Sequence, residues 1–561
     1  MDNQRVFAWA ALALVLWLNY LAWQKDYAPA PAPAPQVQTQ APSAQAPDST
    51  PQSLPELPSA SNQAQNANVP AAVTPAPEAP TSDAQVIHVR TDVLDMDIST
   101  RGGALIRADL LKYPKQKNQP NVPVRLFDPS GNTMFVARSG LRAADQQPDP
   151  THLAHFESAK TEYVLAPGQQ ELKVPLTWTQ DGISVTKTYT FHAGNYRIDL
   201  NYDLANHSGE PWSGASYVQI VRHFEHVERS YFNVETYAFR GPAIFDGKGY
   251  HTLKLEDEEN RHFAGSFSGG WMAATQHHFV AAAVPPAGVQ YSYKVTMDPQ
   301  NDFTVSYIGT PVTVPAGSTH DFHETLFVGP KLQEQLKAIA PNLDRTADYG
   351  WLTILARPLF YVLEKIYSLF HNWGVSIILT TFLIKLVFYR LTAASGRSMA
   401  KMRTIGPRIK AIQERYKDDR EQLGRQMMEI YKKEKINPLA GCLPILIQVP
   451  FFLAFYRVLL ESVEMRQAPF IGWITDLSSR DPYFILPILM GSAMFAQFKL
   501  QPMPSTDPMQ AKIFAFMPII MSVTMAWFPA GLVLYWLTNT LLSIAQQWRI
   551  NKLVAAETKK N

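Results

Sequence analysis

A lysine interrupts an apolar run in the second half of the chain, where residues 375–389 read VSIILTTFLIKLVFY. A helix entered near Trp373 reaches Lys385 after twelve residues, a rise of about 18 Å. In hydrocarbon about 30 Å thick, that ammonium lies past the midplane, toward the side carrying Arg390 and Arg397. Two readings stay open. Either the side chain snorkels to the interface along its own stem, or it faces a wet cavity and holds a costly charge within the membrane. Thr381 precedes Lys385 by four residues and shares its helix face. Gln448, Asn539 and Gln546 are further polar intrusions into apolar runs, and Tyr535 with Trp536 supplies aromatic edges. Intramembrane Asn and Gln more often join helices than touch substrates; together these residues suggest a partly hydrated interior. No Ser-His-Asp set and no nucleotide loop is present, so no catalysis and no cofactor is expected. His223 and His226 flank Glu225 at close range, and His277 adjoins His278. Strand neighbours point to opposite faces, and spacing places no third ligand, so no metal is expected. Cys442 is the only cysteine, which excludes an intrachain disulfide.

The elements that position these residues fall into zones along 561 residues, and the net charge of +2 averages over unlike halves. Residues 1–26 contain an apolar run long enough to span, read as an uncleaved anchor rather than a signal peptide. Residues 27–85 are rich in Ala, Pro, Gln and Ser, a composition that cannot offset ordering entropy, and are expected to be a disordered linker. Residues 86–341 alternate in short runs broken by Gly, Pro and Asn, as in NYRIDLNYDLAN, SVTKTYTF and FTVSYIGTPVTV, which predicts an antiparallel β-sandwich. Trp212, Tyr231, Phe232 and Trp271 are expected in its core, and residues 254–261 read as a solvated loop. Residues 342–372 show helical spacing, predicting an amphipathic helix in the membrane surface that Pro358 bends or restarts, with Trp351 and Tyr361 as anchors.

Spans are predicted at 375–389, 439–460, 483–498, 513–528 and 532–547, the last two joined by a tight turn at Pro529, Ala530 and Gly531. With the N-terminal run this gives six transmembrane helices, five of them forming a core over 373–548. Thirteen Lys/Arg stand against six Asp/Glu between positions 390 and 435, whereas the loop 461–481 has two against four. The positive-inside rule therefore places the basic hairpin (390–436), the basic tail (549–561) and the N-terminus in the cytoplasm, and the sandwich outside. Within the hairpin, Met399, Met402, Ile405, Ile409, Ile412 and Tyr416 recur three or four apart, as do Leu423, Met427, Ile430 and Tyr431 less strictly. Two antiparallel helices with an apolar seam and a basic exterior follow, the second opened by Asp419 and Gln422 in the manner of a capping box. That exterior, with Lys401, Arg403, Arg408, Lys410 and the tail residues Lys559 and Lys560, suits ribosomal RNA or anionic lipid.

The ordered stretches SMAKMR (398–403), KKEKINPLAGCLPILIQVP (432–450), ESVEMRQAPF (461–470), DPYFILPILMG (481–491) and WFPAGLVLYW (527–536) resemble the YidC membrane protein insertases and their Oxa and Alb relatives. TDVLDMDISTRGG (91–103) resembles the start of the periplasmic domain of Gram-negative members. The resemblance implies an inner-membrane insertase and chaperone with a hydrophilic groove open to cytoplasm and lipid. Lys385 matches its positive position, Thr381 a groove neighbour, and Tyr535 with Trp536 an aromatic pair on the last span. Implied partners are nascent membrane proteins, the Sec translocon, the ribosome and the phospholipid bilayer, but no DNA. Lys385 stands where many members have Arg, keeping the charge but losing the bidentate fork. Arg390 replaces an expected proline, which predicts a straighter helix end and a second charge at the groove mouth. Ala440 replaces a glycine. The sandwich is expected to resemble sugar-binding mutarotase-like folds, which gives it no activity by itself. Two alternatives are weighed: a secondary transporter of an anionic solute, for which no internal repeat is found, and an anchored carbohydrate-active enzyme, which leaves five spans unexplained.

Overall fold

The computed structural model of the chain describes residues 84–144, 147–227, 238–416, 419–434, 443–500 and 508–560. The side chains of residues 403, 404, 410, 420, 443–445, 508–515 and 557–560 also lie outside that description. The N-terminal anchor, nearly all of the linker, Tyr231, Phe232, Ala440 and Cys442 thus fall outside the described residues.

Residues 86–330 form two sheets, of eleven and eight strands among the described residues, with antiparallel pairing apart from the parallel contact of Val86–Arg90 with Glu162–Val164. The alternation read from the sequence is present. In Arg197–Asn206, Ile198, Leu200, Tyr202 and Leu204 point inward, paired on one side with Ile183–His192 and on the other with Thr319–Pro330. Both sheets contribute to one apolar core, which includes Trp212 and Trp271. Residues 254–261 are not all loop: Glu258–Arg261 closes one helical turn (α1), with Glu258 and Glu259 at its N-terminal end, where acidic side chains favour a helix start.

Two ionisable side chains sit between the sheets. Lys187 shares the inward parity of Val185 and Tyr189, and its ammonium donates to the carbonyls of Gly102 (2.8 Å), Gly103 (3.3 Å) and Ser139 (3.2 Å). The rings of Phe156, Tyr189 and Tyr202 surround it at 5.2 to 5.7 Å. Gly102 and Gly103 adopt φ of +68° and +59°, and a Cβ on Gly102 would stand 2.2 Å from the His152 carbonyl oxygen, so the turn presenting these carbonyls requires glycine. Glu324, on Thr319–Pro330, accepts from Ser216 Oγ (2.6 Å) and Tyr307 OH (2.5 Å) on the opposite sheet.

The helices follow: α2 (Gln333–Ile339), α3 (Thr353–Phe370), α4 (Trp373–Val387), α5 (Tyr389–Arg415), α6 (Arg420–Lys433), α7 (Leu443–Glu461), α8 (Ile485–Leu500), α9 (Pro508–Met525) and α10 (Ala530–Lys560). Among the described residues no single helix is both long and apolar enough to cross a bilayer, while α4 with the start of α5 meets that test as a pair bent by 71°. The polarity of this bundle is inverted relative to a water-soluble one. Phe382, Leu386, Val387, Ile488, Ile519 and Val523 face outward, while Ser376, Thr380, Thr381, Asn539 and Gln547 are buried. On α3, Trp351 just before its start, Ile354, Tyr361 and Leu369 are exposed and Ala356, Leu359, Phe360 and Leu363 are buried. Pro358 neither breaks nor restarts α3, which is continuous.

Two further expectations are corrected. The turn before the last helix precedes Pro529, since Ala530 and Gly531 already belong to α10. Their N–H groups, orphaned at a helix start, donate to the carbonyls of Ser479 (2.7 Å) and Leu477 (2.9 Å) in the loop before α8. Arg390 does not straighten the helix end: the 71° bend is present without a proline, at Phe388, whose φ of −91° and ψ of 8° depart from helical values.

Burial raises the Glu324 carboxyl to about 7, against the opposing effect of its hydrogen bonds to Ser216 and Tyr307. A folded-state value raised above the unfolded 4.5 means that the native state holds the extra proton between these limits. Stability is therefore full below pH 4.5 and declines as pH rises toward 7, by about 3 kcal/mol from this group. Denaturant unfolding followed from pH 4.5 to 7.5 should show this decline, and the Glu324→Gln variant should remove about that much of the slope.

Candidate functional site

Lys385 lies on α4, with its ammonium directed to α10, where it donates to Ser543 Oγ at 2.7 Å. Ser543 in turn donates to the Asn539 carbonyl one turn earlier, at 2.7 Å. Among the described residues no carboxylate pairs with Lys385. A cation held by one neutral hydroxyl retains two donor positions for another acceptor.

The stripe on α10 that meets it has helical spacing. Asn539 and Thr540 are buried, Ser543 follows, and Gln546 donates to Thr392 Oγ1 on α5 at 2.9 Å. Gln547 donates to the Gly396 carbonyl (3.3 Å) and to Asn551 Oδ1 (2.8 Å), extending the polar line along α10. Asn539 and Gln546 are legible as polar intrusions, but Ser543 is missed. Its spacing of four from Asn539 is the signal that could have found it.

Other expected residues are placed differently. Thr381 is buried on the Lys385 face, but its hydroxyl donates to its own helix at the Ile377 carbonyl, 2.6 Å away. Tyr535 is also buried, stacked on Phe455 with ring centroids 4.4 Å apart, and Trp536 meets Phe452 edge-on at 4.9 Å. This aromatic pair joins α10 to α7. Gln448 is half-buried on α7, one turn from Phe452 and on the same face. Arg390 is exposed just beyond the bend. Between α5 and α6, Met402, Ile405 and Ile409 pack with Tyr431, and Arg408 reaches Glu434 at 3.1 Å. Asp419 caps α6 by accepting from the backbone N–H of Glu421 and Gln422. Lys401 is exposed on α5, and the side chains of Arg403, Lys410, Lys559 and Lys560 lie outside the described residues.

The N-terminal end of α4 is closed by the loop between α7 and α8. Asn372 caps α4 by accepting from the Val375 N–H and holds the loop by donating to the Phe470 carbonyl at 2.9 Å. The Phe470 ring fills the space above Gly374, where a Cβ would stand 2.0 Å from ring carbon Cδ2. Lys385 and the Asn539, Ser543 and Gln546 stripe thus lie toward the C-terminal part of α4, while Phe470 packs over its N-terminal end.

Comparison with known proteins follows this division. Residues 86–362 match the family model of the YidC periplasmic domain, and residues 365–558 match that of the 60Kd inner membrane protein. The membrane protein insertase YidC of Pseudomonas aeruginosa is 44% identical, with both chains fully covered. That of Thioalkalivibrio sulfidiphilus is 45% identical, again over the whole of both chains. A solved structure, the active YidC insertase with its first transmembrane domain resolved, aligns at 18% identity over 83% of this chain and 94% of its own, with a TM-score of 0.37.

The Gly374→Ala substitution is expected to displace Phe470 at a cost of about 1–3 kcal/mol. A lowered thermal midpoint in detergent, together with faster labelling of a cysteine placed at Ser376, would record it; an unchanged midpoint and labelling rate would show that the loop does not seal this end.

Proposed function

This chain belongs to the YidC family of membrane protein insertases, and from that premise we propose that Lys385 receives the polar, often acidic segment of an incoming membrane protein. The observation that carries this reading is the hydrogen bond from Lys385 to a neutral hydroxyl on α10, with no carboxylate partner among the described residues. An ammonium in apolar surroundings attracts an anion far more strongly than one in water, and an acidic tail can supply that anion without displacing a resident acid. The Asn539, Ser543 and Gln546 stripe offers hydrogen bonds along the same path. Leu386, Val387 and the outward residues of α8 and α9 provide an apolar face along which the substrate's own span can pass into lipid.

In this reading six helices span the inner membrane, both termini are cytoplasmic, and the sheet domain is periplasmic. The charge asymmetry between the hairpin and the loop 461–481 supports that orientation. The exposed Lys401 and Arg408 suit a ribosome or an anionic lipid surface, and the Sec translocon is a further partner by family likeness. Catalysis has no place in this scheme. Transport of an anionic solute, which Lys385 taken alone also allowed, has no support in the full-length relatives, which are named insertases.

Lys385→Ala should lower insertion of a single-span protein with an acidic translocated tail into liposomes by about tenfold, equivalent to about 1.4 kcal/mol. A substrate with a neutral tail should change by less than about threefold, and Lys385→Arg should insert both normally. Equal losses for acidic and neutral tails would sink the electrostatic role.

A further inference from the structure

A cavity of about 470 Å³ lies where the sheet domain meets the outer ends of the helices, remote from Lys385. Its volume falls in the range of small-molecule sites. Lys115 of the sheet domain and Arg466 and Arg480 of the loop between α7 and α8 line it, against one carboxylate, Asp476. That carboxylate is already engaged, accepting from the Ser478 N–H at 2.9 Å and the Ser478 hydroxyl at 2.6 Å. Leu459, Leu460 and Trp527 border the cavity on the side of the helix ends.

The stacked rings of His277 and His278, with centroids 3.8 Å apart, form another wall. His277 Nε2 donates to the Leu460 carbonyl at 2.7 Å. His278 is buried, and its Nδ1 has no hydrogen-bond partner among the described residues. Both rings stand in the positive field of Lys331 and Arg466, and Lys331 is itself opposed by Glu461. Burial and this field hold His277 down to about 4 and His278 well below its usual value, so both are neutral as the cavity stands. Three cations around one cavity with a single carboxylate among them are a costly arrangement, and a bound anion relieves it.

We propose that this junction cavity binds a phosphate group, carried by an anionic phospholipid headgroup or as free phosphate. Phosphate oxygens accept from several donors at once, which suits Lys115, Arg466 and Arg480. The exposed Trp527 ring gives acyl chains an apolar edge on the side of the helix ends.

The test uses the full chain in detergent, with dihexanoyl phosphatidylglycerol, inorganic phosphate and an Asp-rich peptide as separate probes. Binding is read by calorimetry and by the imidazole NMR signals of His277 and His278. Lys115→Gln combined with Arg480→Gln is the first variant, because neither side chain makes an ion pair among the described residues; His278→Phe is the second. Saturable binding of phosphatidylglycerol or phosphate, weakened at least tenfold in the double variant at an unchanged thermal midpoint, supports the site. A downfield-shifted imidazolium signal lost in His278→Phe supports it further. Phosphatidylglycerol binding at least tenfold tighter than phosphate identifies the source as lipid, and equal affinities identify free phosphate. The proposal is overturned if neither probe saturates, if the double variant binds both as well as the parent, or if the peptide binds more tightly than either.

Discussion

The cost of removing charge from water governs this molecule, because it decides which buried ions are structural and which are available for work. Lys187 and Lys385 are both cations in apolar surroundings, yet their solutions differ. Lys187 is enclosed by three backbone carbonyls and three aromatic rings, a set fixed by two glycines in a turn that other residues cannot adopt. Nothing remains for it to bind. Lys385 meets a single hydroxyl, and its remaining donor positions face the polar line of α10. The same element of chemistry thus pins a sheet in one domain and stands ready for a partner in the other.

The polar line depends on α10 being held at its start. Its first N–H groups are taken by carbonyls of the loop between α7 and α8, and that loop is also tied to the sheet domain through Arg466, which donates to the Pro114 and Lys115 carbonyls. One loop therefore sets the register of α10, seals α4 with Phe470 and fastens the two domains together. Tyr535 stacked between α10 and α7 fixes the rotation of α10 about its own axis, so that Ser543 faces α4.

Much of this was legible in the sequence for a simple reason: period-2 and period-3.6 patterns report which face is buried, and both were strong here. The strand around Tyr196 to Leu204 came out at the expected residues, and the seam of the hairpin at six of the ten named, Met402, Ile405, Ile409, Met427, Ile430 and Tyr431. Lys187 was not singled out, although its parity with Val185 and Tyr189 in SVTKTYTF places it inside. Only tertiary carbonyls, supplied from 48 to 85 residues earlier in the chain, make that position tolerable. Pattern was equally silent on the bend at Phe388 and on the turn before Pro529, since both are set by contacts with distant elements. Ser543 was missed because a hydroxyl is too weakly polar to stand out in an apolar run. Tyr535 stood out as an aromatic edge, but its burial in a stack with Phe455 could not be read from its type.

The bend at Phe388 has a mechanical consequence. It lies three residues beyond Lys385, and α5 runs on for 27 residues, a contour of about 40 Å. Each degree of rotation at that pivot sweeps the far tip through about 0.7 Å, and any load applied to the tip returns to the pivot as torque one turn from the ammonium. The start of α5 is also tied to α10 through Thr392 and Gly396, so that a load on the hairpin is shared with the helix whose Ser543 holds the ammonium.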